Sequence, residues 1–339
     1  MTYFLAFFLL QQPHGQVIDA HFKSAALGVE KRYVAWLPAD YATSQRRYPV
    51  IYLLHGLGGN EDNWIKGGRA DAAADRLNLE AILIMADGDD GFYVNWATPV
   101  DYEKCLSTPR IFGRPEDPKA YCVKTPRYED YIVKDLVAHV DATYRTIANR
   151  NARAIGGLSM GGFGALELAM RHPNVFGAAA SHSGVDVLVP IDGDIKHWGH
   201  KTEPIGAHVR RILGDDITYW RGYDPAVLAQ KLKDGQLALY LDCGTEDQFK
   251  LDGSAKFLHE TLDKAGVHHA FYLGPGDHTF AFWSVRIGES LKFFADYFSR
   301  SAGAKAPRTW RADPRLPGHS IDLLEYRRVA ALRKFNPNG

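Results

Sequence analysis

Three side chains in this sequence have the types and the order of a nucleophilic catalytic set. Ser159 lies within Gly157-Leu158-Ser159-Met160-Gly161, a G-x-S-x-G sequence. A serine hydroxyl is a weak nucleophile unless a base accepts its proton, and that base needs an acid to orient it. Asp247 and His278 follow Ser159 in the order Ser, Asp, His that this set takes on a parallel sheet. The residues therefore predict covalent acyl chemistry at Ser159.

Other residues compete for the acid and base roles. Glu246 and Asp242 are the alternatives to Asp247, but Asp242 falls on the end of a predicted strand and Glu246 is typical of a solvated carboxylate. His268 and His269 precede the last predicted strand, whereas His278 follows it. Because sites in open α/β sheets lie at the carboxyl ends of strands, Asp247 and His278 are favoured.

The elements around Ser159 fit a sharp strand-to-helix turn. Residues 152–156 form a short apolar strand pattern, and residues 162–172 form a helix pattern that ends before Pro173. A turn of this kind strains the backbone, so glycines are expected beside the serine. The start of the helix would direct its free N–H groups towards an oxyanion. We expect Leu57, in the glycine-rich turn after the third strand, and Met160 to donate those backbone N–H groups.

Continuous apolar runs alternate with helix patterns along most of the chain. Such runs are typical of parallel strands that helices cover on both faces. Two leading strands, an antiparallel pair, and six α/β units predict a mostly parallel sheet of about eight strands, with Ser159 after the fifth. Residues 97–127 and 185–223 are irregular and are interpreted as insertions over the site. Aromatic candidates for the walls of a substrate pocket, each of which could equally belong to the core, are Tyr93, Trp96, Phe249 and Trp283.

Composition narrows the classes of partner. The 339 residues contain 40 Lys and Arg against 40 Asp and Glu, so no basic surface is expected for nucleic acid. No segment reaches the length that spans a bilayer. No glycine-rich stretch has the spacing of a nucleotide-binding loop, and the sequence predicts neither a cofactor nor a metal site. His197 and His200 have H-x-x-H spacing but are interpreted as loop residues.

The two ends of the chain are interpreted separately from the domain between them. Residues 1–16 contain a short apolar run that indicates a weak signal or leader segment, which favours secretion or the periplasm over the cytoplasm. Residues 17–298 form the predicted catalytic domain, and residues 299–339 a C-terminal extension without an assigned role. Cys105 and Cys122 flank a Pro-rich loop, and the sequence leaves open whether they are bridged; Cys243 is expected to be a buried thiol.

Four motifs together resemble the esterase D-like family of α/β-hydrolases. They are His55-Gly56-Leu57-Gly58-Gly59, Gly156-Gly157-Leu158-Ser159-Met160-Gly161-Gly162, Gly244-Thr245-Glu246-Asp247 and Gly276-Asp277-His278-Thr279. The family includes S-formylglutathione hydrolases, tributyrin-type esterases, feruloyl and acetylxylan esterases, and mycolyltransferases. Asp87-Gly88 and Gly91-Phe92-Tyr93-Val94-Asn95-Trp96 are also similar to the family's acyl-site segment. The resemblance covers roughly residues 17–298 and implies an α/β-hydrolase fold with a serine nucleophile.

The resulting hypothesis is a serine carboxylic ester hydrolase that acts on small-molecule short acyl esters or on acylated and feruloylated sugars. The alternatives are an acyltransferase of the mycolyltransferase type and a non-catalytic protein that binds carbohydrate or lipid on the same fold. The fold alone cannot choose among acyl and alcohol groups. The sequence also leaves the oligomeric state open.

Overall fold

Eight strands in one sheet form the centre of the protein, which is described here from a computed structural model for residues 14–108, 117–189 and 204–303. The strands lie in the order β1-β2-β4-β3-β5-β6-β7-β8. Their bounds are β1 Gln16–Lys23, β2 Glu30–Leu37, β3 Val50–Leu54, β4 Ile82–Ala86, β5 Arg153–Leu158, β6 Ala178–His182, β7 Ala238–Gly244 and β8 Ala270–Gly274. The leading strands β1 and β2 are antiparallel to their neighbours, and the strands from β4 to β8 run parallel.

Helices connect the strands and cover the sheet. Their bounds are α1 Asn63–Lys66, α2 Ala70–Arg76, α3 Tyr102–Ser107, α4 Pro118–Tyr121, α5 Tyr128–Asp130, α6 Val137–Thr143, α7 Met160–Arg171, α8 Pro204–Leu213, α9 Ile217–Tyr223, α10 Pro225–Ala229, α11 Leu251–Lys264 and α12 Phe280–Ser301. A π-helical stretch, Tyr131–Leu136, joins α5 to α6. Among the described residues, no helix is both long and apolar enough to cross a bilayer.

The sheet separates two apolar layers. Every residue of β3, β4, β5 and β6 is buried, and the continuous apolar sequences of β3 and β4 predict this burial. One layer packs α2 and α12 on the sheet, and the other packs α7 and the helix that precedes β5 on the opposite face. The predicted α/β-hydrolase architecture is confirmed, and Ser159 does follow the fifth strand.

The two insertions contact each other and are more ordered than predicted. The prediction of an irregular segment over residues 185–223 is wrong for its second half, where α8 and α9 lie. Ile205, Val209 and Ile212 follow the i, i+4, i+7 spacing of an apolar helix face, which explains why this segment is helical. The N–H of Ala97 donates to the carbonyl of Ile212 at 2.9 Å, and the Thr98 hydroxyl donates to the Arg211 carbonyl.

A disulfide closes the first insertion. Cys105 and Cys122, which the sequence left open, are bonded to each other across 17 residues. Cys243 is a buried free thiol, as expected. The predicted leader run, the His197 and His200 pair and most of the C-terminal extension lie outside the described residues.

Candidate active site

The turn between β5 and α7 places Ser159 in a strained backbone conformation. Ser159 has φ 54° and ψ −118°, and a positive φ is uncommon for a residue with a Cβ. Its N–H donates to the carbonyl of His182 at the end of β6, and its carbonyl accepts the N–H of Phe163 in α7. Backbone bonds on both sides therefore hold the strained residue, as is common for functional groups on sharp turns.

Two glycines make this turn sterically accessible. A Cβ on Gly157 would lie 2.2 Å from the Gly161 carbonyl oxygen. A Cβ on Gly161 would lie 2.4 Å from the Leu54 carbonyl oxygen. Both contacts are with backbone atoms, which cannot move aside. The two glycines of the G-x-S-x-G sequence therefore allow the turn to close on itself and to pack against β3.

The three predicted catalytic side chains lie in hydrogen-bonding contact. His278 Nε2 is 2.9 Å from Ser159 Oγ, and His278 Nδ1 is 2.6 Å from Asp247 Oδ2. An ionised carboxylate only accepts, so Nδ1 carries the ring hydrogen and Nε2 presents its lone pair to the serine hydroxyl. This is the tautomer that lets an imidazole act as the general base for a serine.

Asp247 is suited to remain an anion. Burial alone would raise the pKa of its carboxyl, but the hydrogen bond and charge of His278 and the N–H groups of Leu251 and Phe249 outweigh burial and lower that pKa below its ordinary value. The rival carboxylates lie elsewhere. Glu246 accepts the N–H of Gly276, and Asp242 contacts His182 at 2.9 Å.

The turn after β3 lies beside the nucleophile. A Cβ on Gly56 would be 3.3 Å from Ser159 Cβ, so Leu57 follows a residue in contact with the serine. Within the described ranges the Leu57 N–H donates to no protein acceptor, whereas Gly58 N–H donates to Asp90 Oδ1 at 2.8 Å. Met160 is the first residue of α7, where N–H groups have no partner inside the helix. Both groups are available to an oxyanion.

A buried cluster of ionised groups supports that turn. Lys31 Nζ lies 2.9 Å from Asp87 Oδ2 and 2.7 Å from Asp89 Oδ1, with all three residues buried. Burial raises the pKa of Asp89 to about 7. Burial alone would raise the pKa of Asp87 also, but the charge of Lys31 holds it well below its usual range. Local sequence patterns do not reveal this cluster, because Lys31 is 56 and 58 residues from its partners.

His55 links this cluster to the glycine turn. Its Nδ1 donates to the Gly56 carbonyl at 2.8 Å, and its Nε2 accepts the Gly88 N–H at 2.9 Å. Its own carbonyl accepts the Tyr93 hydroxyl at 2.9 Å. His55 therefore fixes the turn that carries Leu57. The sequence motif contained His55, but its positioning role was not predicted.

The aromatic candidates occupy different environments. Phe249 and Trp283 both place their rings 4.8 Å from the His278 ring, and Phe249 is 50% exposed. Trp283 is buried and donates its Nε1–H to the Ser183 hydroxyl. Tyr93, which the sequence left open between a pocket wall and the core, belongs to the core, because its ring is fully buried and its hydroxyl bonds the His55 carbonyl.

Trp96 lines a cavity between the two insertions. The cavity has a volume of about 300 Å³ and lies beside Asp90, His208 and Arg211. Asp90 lines this cavity, and its Oδ1 accepts the Gly58 N–H of the glycine turn. The cavity therefore adjoins the turn that carries Leu57.

A second buried histidine and aspartate support the floor of the site. His182 Nδ1 is 2.9 Å from Asp242 Oδ1, and His182 Nε2 is 2.9 Å from Ser290 Oγ. All three residues are buried, so substrate cannot reach them. The His182 carbonyl accepts the Ser159 N–H, so this group anchors the nucleophile turn. Sequence reasoning missed His182. The chain-order rule was applied to residues in loops that follow the strands, and His182 is the last residue of β6 itself.

Comparison with known proteins agrees with this architecture. Residues 24–294 match the family described as "Putative esterase". The chain is 30% identical over 278 residues to an esterase of Mycobacterium tuberculosis, covering 76% of this chain and 55% of that protein. It is 28% identical over 280 residues to an S-formylglutathione hydrolase of Arabidopsis thaliana, covering 81% of this chain and 90% of that protein.

Solved structures share the fold at low sequence identity. An S-formylglutathione hydrolase from Agrobacterium tumefaciens has a TM-score of 0.64 and 20% identity, covering 85% of this chain and 97% of its own. A ferulic acid esterase has a TM-score of 0.63 and 22% identity, covering 84% and 99%. With a family match across most of its length, the chain belongs to this esterase family.

Proposed function

We propose that the protein is a serine carboxylic ester hydrolase in which Ser159 is the nucleophile. The observation that carries this proposal is the continuous hydrogen-bonded path from Asp247 through His278 to Ser159, at 2.6 and 2.9 Å. The chain spans only 55% of the mycobacterial esterase it matches, so its activity is argued from this geometry. The family match is consistent with the same chemistry.

The geometry assigns a step to each group. Ser159 Oγ attacks the ester carbonyl carbon while His278 Nε2 takes the hydroxyl proton, and the carbonyl oxygen becomes an oxyanion held by the N–H groups of Leu57 and Met160. The oxyanion then re-forms the carbonyl, the bond between the carbonyl carbon and the alcohol oxygen breaks, and His278 gives its proton to that oxygen, which leaves Ser159 acylated. A water molecule repeats the attack with the same base, which releases the carboxylic acid and regenerates Ser159.

The substrates proposed are short acyl esters and acylated or feruloylated sugars. Phe249 offers a half-exposed ring beside His278, where the leaving alcohol or an aromatic acyl group would pass. An apolar side chain there favours a planar or ring-shaped substrate over a charged one. The names of the related proteins, a ferulic acid esterase among them, fit this class of substrate.

Turnover of p-nitrophenyl acetate tests the proposal directly. Ser159→Ala and His278→Ala are each expected to lower kcat/KM by at least about 10³-fold, since both remove a group on which bond formation depends. His268→Ala is the matched control, because His268 is an exposed histidine that bonds Asp234 and precedes β8, whereas His278 follows that strand. Equal rates in wild type and Ser159→Ala would refute the hydrolase and support a binding protein.

Transfer to an alcohol is the second reaction that the same acyl-enzyme permits. Adding a sugar or a long-chain alcohol during turnover separates the two outcomes, because transfer forms a new ester while hydrolysis forms a free acid. We expect the acid to be the main product. A predominant new ester at millimolar alcohol would reassign the protein as an acyltransferase.

A further inference from the structure

A group of three side chains of metal-ligating type lies near the start of β8, at the end of that strand opposite to His278. His259 and Asp263 are one helical turn apart in the second half of α11, and His269 comes directly before β8. His278 comes after β8, at its other end. One ligand atom from each of His259, Asp263 and His269 lies within 4.8 Å of the others. None of these residues takes part in the proposed hydrolysis.

The hydrogen bonds fix where each imidazole carries its hydrogen. His269 Nδ1 is 2.9 Å from the Val267 carbonyl oxygen, which can only accept, so Nδ1 is the donor. In the neutral ring His269 Nε2 is then a bare acceptor. His259 Nδ1 lies 2.7 Å from that nitrogen, so His259 must donate from Nδ1. The lone pair of His259 is therefore on Nε2.

That lone pair faces a carboxylate. His259 Nε2 is 3.5 Å from Asp263 Oδ2, and neither atom supplies a hydrogen to the other when the imidazole is neutral. Two acceptors at this separation are stabilised by a cation between them. The His259 ring cannot easily turn away, because it stacks on Phe271 with centroids 4.2 Å apart and planes 11° apart.

The spacing of these two atoms suits a metal ion. Bonds from zinc to an imidazole nitrogen or a carboxylate oxygen are about 2.0–2.2 Å long, so one ion can bind both His259 Nε2 and Asp263 Oδ2, which are 3.5 Å apart.

We propose that His259 Nε2 and the Asp263 carboxylate bind a divalent first-row transition metal ion such as Zn²⁺, with His269 as a positioning residue. An imidazole and a carboxylate at i and i+4 on a helix are suitable ligands for this class of ion, and water would complete its coordination. The N–H of a metal-bound imidazole normally donates to a fixed acceptor, and His269 Nε2 is that acceptor for His259. The ion would bridge two successive turns of α11, and the hydrogen bond from His259 to His269 would join that site to the residue before β8.

Zinc titration of the chelator-treated, untagged protein by calorimetry tests this site, with thermal unfolding as a second measurement. We expect micromolar binding at about one ion per chain and a Tm that rises with zinc concentration. His259→Ala and Asp263→Asn should each weaken that binding at least about 10-fold, as should His269→Ala through loss of the fixed ring. Mg²⁺, which prefers oxygen ligands, should bind far more weakly.

The neighbouring His268→Ala is the matched control and should bind zinc like wild type, since His268 bonds Asp234 and not this group. Asp263 is 62% exposed, so Asp263→Asn is expected to fold normally. Ester turnover of each variant without zinc verifies folding and is independent of the ion. Undiminished zinc affinity in both His259→Ala and Asp263→Asn, or no zinc binding by wild type at about 1 mM, would overturn the proposal.

Discussion

At the scale of single residues, Asp247 shows how position distinguishes neighbouring carboxylates. Its Oδ2 contacts His278 Nδ1, while its Oδ1 accepts the N–H of Phe249 at 2.9 Å. A carboxylate anchored at both oxygens cannot rotate, so the imidazole is held in one orientation. Glu246, one residue earlier, points to Gly276 and Thr245 instead.

Asp247→Asn is expected to lower kcat by about 10³- to 10⁴-fold with an unchanged fold. The amide can no longer stabilise the imidazolium that forms when His278 accepts the serine proton, and its NH₂ can favour the wrong tautomer. Steady-state assays with p-nitrophenyl acetate measure kcat, and far-UV circular dichroism checks that the fold is unchanged. Glu246→Gln is the matched control and should stay within about 3-fold of wild type. Similar losses in both variants would contradict the assignment.

At the scale of elements, the turn into α7 and the middle of α12 respond oppositely to the same substitution. Gly161→Ala should abolish activity and destabilise the fold by several kcal/mol, because the new Cβ would meet the Leu54 carbonyl oxygen at 2.4 Å. Gly288→Ala in α12 has no atom within 4 Å of the new Cβ. It should raise the free energy of unfolding by about 1 kcal/mol through helix propensity. Urea unfolding measures both, and stabilisation by Gly161→Ala would contradict the described packing.

Glu167, also in α7, gives a pH-dependent effect. The residue is fully buried, and within the described residues its carboxyl oxygens accept no hydrogen bond. Burial and then the charge of Glu129 raise its pKa well above 4.5. A folded-state pKa above the unfolded value means that the carboxyl costs stability once pH exceeds about 4.5, and the cost grows up to the folded-state pKa.

We therefore expect Glu167→Gln to stabilise the protein by roughly 1–3 kcal/mol at pH 8 and by much less at pH 4.5. Gln has nearly the same shape as Glu but does not ionise. The part of the difference in unfolding free energy that changes with pH therefore reports the ionisation of Glu167. Urea unfolding at the two pH values measures it. A difference between variant and wild type that does not change with pH would contradict the shifted pKa.

At the scale of the whole molecule, the features that obey local rules were predictable from the sequence. Continuous apolar runs predicted buried parallel strands, and chain order predicted Ser159, Asp247 and His278. The cluster of Lys31 with Asp87 and Asp89 was not predicted, because no period or motif reveals an ion cluster between distant residues. The sequence left Tyr93 open between a pocket wall and the core for a similar reason: an aromatic residue in a loop can face either, and only its contact with His55 decides which.

The disulfide between Cys105 and Cys122 allows a count of thiols. Alkylation of the unfolded protein without reductant should label one of the three cysteines, Cys243, and with reductant all three. Replacing Cys105 and Cys122 by serine should lower the free energy of unfolding by about 2–4 kcal/mol, since the bond closes a loop of 17 residues. Intact mass spectrometry and urea unfolding check these results. Three labels without reductant, in protein from an oxidising compartment, would contradict the bond.

The hydrogen bonds between the two insertions constrain how this protein could be redesigned. Ala97 and Thr98 in the first insertion bond the end of α8 in the second, and His208 in α8 bonds the Asp90 carbonyl beside the glycine turn. A chimera that receives only one insertion from a relative would leave unpaired backbone groups at the junction and disturb the loop beside Leu57. The two segments should therefore be transplanted together.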